Sequence, residues 1–129
     1  MSPLSKNPEE WLEQAEEDLK TAEYMLKGGY NVYAVFFCHL AIEKALKGLY
    51  FKRTQLVPPK THNLLYLLEK INEKPTADIF KFIMTINEVH IITRYPEDYK
   101  RIQQEFPLEF ISSALTKSRE TIKWIKARF

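Results

Sequence analysis

Three glycines are spread over 129 residues, and two of them, Gly28 and Gly29, are adjacent. Such a chain has little material for the tight turns that close β-hairpins, which draw on glycine for positive φ. What recurs instead is an apolar residue every three or four positions, interrupted by prolines and the Gly-Gly pair, which is the period of amphipathic helices. Asn7-Pro8-Glu9-Glu10 reads as a helix start: an N-cap amide, a proline in the first turn, and acids facing the positive end of the helix dipole. Trp11, Leu12, Ala15, Leu19, Ala22, Met25 and Leu26 continue the helix, and Gly28-Gly29 supplies the left-handed residue that ends it.

A second segment, about 30–53, is apolar on more than one face, through Tyr33, Phe36, Phe37, Leu40, Ile42, Leu46, Leu49 and Tyr50. A helix of that kind is central in its domain, or packs on its own bundle and a partner at once. Val57-Pro58-Pro59 breaks it, because prolines lack the amide donor and force extended backbone. Thr61 is expected to cap a third, shorter helix carrying Leu64, Leu65, Leu67, Leu68 and Ile71. Pro75-Thr76 leads into a fourth, with Ile79, Phe80, Phe82, Ile83, Ile86 and Val89 facing inward. Pro96 is expected in the loop after it, and Pro107 to open a last helix with Ile111, Leu115, Ile122 and Ile125 on one face. The expected fold is all-α, an up-and-down bundle of four to five antiparallel helices forming one domain over residues 1–129, with no strand and no internal repeat.

Composition adds exclusions. One cysteine, Cys38, rules out an internal disulfide framework and a multi-cysteine zinc site. No apolar run approaches a membrane span, and the start MSPLSKNPEEW has no apolar signal stretch, so a soluble cytoplasmic protein is expected. Net charge is +2 but unevenly spread: residues 9–23 sum to −6, leaving +8 for the rest. Bases concentrate at 44–60 (Lys44, Lys47, Lys52, Arg53, Lys60, no acid) and at 117–128. Such stretches attract phosphates, or they complement the negative ends of helices.

No HExxH or CxxC spacing and no glycine-rich phosphate loop occurs, so neither a metal nor a cofactor is expected. His39, mid-way along the apolar second helix, is expected as a core histidine rather than a ligand. His62, beside Thr61, is a cap or a site residue. His90 stands four residues before Arg94, on the same side of a helix end. Arg94-Tyr95-Pro96-Glu97-Asp98-Tyr99 is the densest stretch chemically, with a guanidinium, two phenols and two carboxylates. Arginine matches phosphate with forked donors and tyrosine offers a stacking face. Alternatively the arginine pairs internally with Asp98 or Glu97.

Four segments in order resemble the HEPN family of small helical domains: 11–19 (WLEQAEEDL), 41–47 (AIEKALK), 60–64 (KTHNL) and 94–99 (RYPEDY). The resemblance spans nearly the whole chain. It implies a helical bundle, commonly homodimeric, often paired with a small nucleotidyltransferase in toxin–antitoxin arrangements. Many members are ribonucleases that use an arginine followed, after four to six residues, by a histidine acting as acid or base. Here that pattern is missing: Tyr99, Lys100 and Arg101 stand where the histidine belongs, and no histidine follows His90. What the resemblance then implies is a nucleotide- or nucleic-acid-binding accessory protein of the RYPEDY type. In that reading Arg94 holds a phosphate with Lys44 and Lys47, Tyr95 or Tyr99 packs on base or ribose, and His62 reaches the same cleft. Asp98 orients Arg94, and Glu43 does so for a lysine. The alternatives are a ribonuclease with a non-standard catalytic set, including His90 with Arg94, and a dimerisation module without ligand.

Overall fold

The computed structural model describes residues 7–88, 96–105 and 108–129. Among these are six helices: α1 (Pro8–Lys27), α2 (Asn31–Thr54), α3 (Leu64–Ile71), α4 (Ala77–Ile86), α5 (Pro96–Glu105) and α6 (Leu108–Lys126). No strand occurs among the described residues. The all-α bundle is as expected, with one helix more than the four to five anticipated. None of these helices is long and apolar enough to cross a membrane.

α1 begins as its sequence dictates. The Asn7 side chain accepts from the Glu10 amide at 2.9 Å, with Pro8 in the first turn where no intrahelical donor is needed. Gly29, at φ +83°, takes the left-handed position that lets the Tyr30 amide reach back to the Met25 carbonyl. The chain then turns at once into α2, so the two long helices lie antiparallel and α2 packs against α1, α3 and α6. Its all-round apolar character follows: Val35, Ala41, Ile42, Ala45, Leu46 and Leu49 are fully buried at the centre of the core. At Gly48 α2 comes close to α1 and to Phe129. A Cβ there would stand 2.7 Å from Trp11 Cβ and 3.1 Å from both Phe129 and the Pro8 carbonyl oxygen.

Several local expectations change. α2 stops at Thr54, with Gln55 left-handed at φ 60°, before Pro58-Pro59 is reached. The cap of α3 is Asn63, which accepts from the Leu65 and Tyr66 amides at 3.0 and 3.2 Å. Thr61 acts one step earlier, accepting from the Asn63 amide at 3.1 Å. Asn87, at the end of α4, accepts from the Leu64 amide at 2.7 Å and donates to the Asn63 side chain at 3.2 Å, tying the end of α4 to the start of α3. On α4, Phe82, Ile83 and Ile86 are buried and Ile79 partly so, but Phe80 is exposed; Val89 lies outside the described residues. Pro96 is not in a loop. It is the first residue of α5, where its fixed φ suits a helix start. Pro107 lies outside the described residues, and α6 is described from Leu108.

The uneven charge along the chain is explained by packing. α1's acids meet the bases of α2 and α6: Glu9 with Lys52 at 3.1 Å, Asp18 with Lys44 at 2.9 Å, Glu16 with Lys126 at 3.5 Å, and Glu23 with Arg119. Lys52 beside Glu9 holds its carboxyl below the usual range, and Lys27 with Arg119 does the same for Glu23. A second junction gathers Arg53 (2.6 Å) and Arg128 (3.0 Å) on Glu73, while Arg53 also donates to the Ile71 carbonyl at the end of α3.

Candidate functional site

Helix periodicity and burial together create one polar cluster inside the apolar stripe of α2. His39, Glu43 and Lys47 follow one another at four-residue spacing, so their side chains stack on one face. All three are buried. An unpaired charge there is strongly unfavourable, so the carboxylate and the ammonium are found together: Lys47 Nζ donates to Glu43 Oε2 at 2.9 Å. The other oxygen, Glu43 Oε1, is 2.9 Å from His62 Nδ1 and 3.9 Å from His39 Nδ1. His62 comes from the connection between α2 and α3, and its side chain is 60% exposed. A buried carboxylate thus grips one nitrogen of an imidazole whose remainder faces solvent.

This arrangement has a definite chemistry. When Nδ1 carries the proton donated to Glu43, Nε2 is left as an acceptor; when the ring is protonated, Nε2 is a second donor. Lys47 supplies the positive charge that keeps the Glu43 carboxylate balanced in the interior. The cluster can therefore hold a hydroxyl or an anion at its open edge, or move a proton there.

The residues singled out from sequence are placed as follows. Lys47 is engaged by Glu43, and Lys44, three positions earlier, turns to Asp18 of α1. The two lysines thus pair with different carboxylates. Tyr99, on α5, packs its ring against Tyr33 of α2, with centroids 5.6 Å apart and planes tilted by 48°. Arg94, Tyr95 and His90 lie outside the described residues, as does the side chain of Asp98. Glu43 is the residue sequence reasoning undervalued, and the signal was present: it stands one turn after His39 and one turn before Lys47. Its contact with His62 joins residues 19 apart and has no local signature. Among the described residues no group of three or more His, Cys, Asp or Glu is arranged to hold a metal ion.

Comparison with known proteins agrees with this architecture. The chain is similar over 95% of its length to ST0689, an archaeal HEPN homologue of known crystal structure, at 28% identity, a TM-score of 0.69 and 98% coverage of that chain. It is similar over the same share of its length to TT1696 from Thermus thermophilus, at 25% identity and a TM-score of 0.76, again covering 98% of that chain. No curated protein matches. The family model for the HEPN domain matches residues 8–128, which is the whole bundle from α1 to the end of α6, and on that match the chain belongs to the HEPN family.

Proposed function

We propose that the protein is a HEPN-type accessory protein that binds a nucleotide or nucleic acid, with the whole chain acting as one domain. The observation that carries this reading is His62, exposed at its edge and held from behind by the buried Glu43–Lys47 pair. An imidazole presented in this way suits a ribose hydroxyl or a phosphate oxygen, because it offers either an acceptor or a charged donor without reorienting. Arg94 would add a forked phosphate contact, oriented by Asp98, with Tyr95 or Tyr99 against the base or ribose. Lys44 has the weaker claim, since it is committed to Asp18.

Family membership also favours a homodimer and a partnership with a small nucleotidyltransferase in a toxin–antitoxin-like pair, in the cytoplasm. Exposed Tyr24, Tyr30 and Tyr33 around the α1–α2 turn offer aromatic surface for such contacts. A second reading, metal-independent ribonuclease, is favoured by the same Glu43–His62 pair, since a carboxylate-oriented histidine is the usual acid–base arrangement.

The experiment is a thermal-shift series of wild type, His62→Ala and Arg94→Ala against AMP, ADP, ATP and a short RNA, with RNA integrity read in parallel. Ligand at a hundred times its Kd adds about 2.7 kcal/mol, a clear rise in melting temperature. Shifts in wild type that both variants lose support binding at this site. RNA cleavage that His62→Ala abolishes favours the nuclease. No shift and no cleavage overturn both readings.

A further inference from the structure

A cavity of about 450 Å³ lies between α4 and α6, and none of the Glu43 cluster lines it. α4 contributes Asp78, Lys81 and Phe82, and α6 contributes Phe110, Lys117 and Glu120. The two phenyl rings meet with centroids 5.9 Å apart and planes tilted by 38°, which gives the cavity an aromatic wall. Around it are two lysines and two carboxylates, and none of the four makes an ion pair within 4.0 Å with another described residue.

α1 shows the contrasting case. Glu17 and Lys20, three apart on α1, close to 3.4 Å even though both are well exposed. Asp78–Lys81 and Lys117–Glu120 have the same spacing on their helices and stay open. Both signs of charge therefore face one cavity without neutralising each other, beside an aromatic surface.

The geometry points to a binding site for a small zwitterion with a flat aromatic body, the chemistry of an aromatic amino acid. Its carboxylate is received by Lys81 and Lys117, its ammonium by Asp78 and Glu120, and its ring by the Phe82–Phe110 wall. The cavity falls within the range of roughly 300–1,000 Å³ typical of small-molecule sites. Its formal charge is zero, so a ligand carrying both charges is matched, whereas a singly charged one leaves the opposite pair of side chains unanswered.

The test is isothermal titration of the full chain with tryptophan, and with three probes that each lack one feature: phenylpropionate (no ammonium), phenethylamine (no carboxylate) and glycine (no ring). The expected result is saturable binding of tryptophan, with each probe weaker by about tenfold or more. Lys117→Gln and Glu120→Gln should each weaken tryptophan to a similar degree, with circular dichroism and melting temperature unchanged because both side chains are exposed. The assignment is overturned if tryptophan does not bind up to its solubility limit, or if a single-charge probe binds as well. It is equally overturned if both variants bind like wild type, or if AMP binds more tightly than tryptophan and is lost in the same variants.

Discussion

The Glu43 carboxylate lies 2.9 Å from the Nδ1 of His62, joining a buried position of α2 to an exposed one 19 residues later. The same carboxylate neutralises Lys47, so one group serves both a structural pair and a presented imidazole. That double service couples the stability of the buried pair to the placement of His62 at a single position.

Replacing Glu43 by alanine leaves the Lys47 ammonium in the interior without its counter-charge. The expected cost is about 3–5 kcal/mol, read by urea unfolding. Glu43→Leu combined with Lys47→Met removes both charges and should recover most of that loss, while His62 is left without its support. A double variant as unstable as Glu43→Ala would contradict this account.

Gly48→Ala tests the close packing of α2 on α1. On an exposed helix the change stabilises by about 1 kcal/mol, through helix propensity. Here the added methyl meets Trp11 at 2.7 Å and the Pro8 carbonyl at 3.1 Å, in backbone and side chains held by α1. A net destabilisation of about 1–3 kcal/mol is expected by chemical denaturation. A melting temperature at or above wild type would show that α1 yields easily.

Cys38 gives a pH signature. Burial pushes its thiol up to about 11, partly offset by the Ser118 hydroxyl and the Arg119 charge. Well below pH 9 the thiol is protonated whether the chain is folded or not, and its contribution is complete. Above pH 9 the unfolded chain ionises first, so stability falls as pH rises towards the folded value, by roughly 2–3 kcal/mol at pH 11. Subtracting the pH curve of Cys38→Ala from that of wild type isolates this fall, and a flat difference between pH 9 and 11 would refute it. Thiol reagents should label the native protein far more slowly than the unfolded chain.

Glu73 acts at the other end of the scale. Arg53 and, to a smaller extent, Arg128 hold its carboxyl below the ordinary range. A lowered folded value means the unfolded chain binds more protons in acid. The stabilisation is therefore present above about pH 4.5 and lost as pH falls through the folded value. The groups are partly exposed, so Glu73→Gln should cost only about 1 kcal/mol at about pH 7 and less at about pH 2. Equal losses at both pH values would place the effect in packing instead.

Legibility in the sequence followed the range of the interaction. Asn7-Pro8 and Gly29 were readable because a cap is decided within four residues, and the central place of α2 was readable because burial on all faces leaves a compositional trace. Thr61 and Asn63 are both good caps two positions apart, and only the backbone chooses between them. Pro96 fits a helix start as well as a loop, and Phe80 sits at the edge of an apolar arc where one step of rotation turns a ring outward. The pairing of Lys44 with Asp18 was invisible for a different reason: it depends on how two helices are stacked, not on either helix alone.

Asn87 has a consequence for how the molecule moves. It anchors the first amide of α3 and the side chain of Asn63, so the end of α4 is fastened two residues beyond His62. The loop that presents His62 is thereby pinned at its foot by the end of α4, as well as from behind by Glu43.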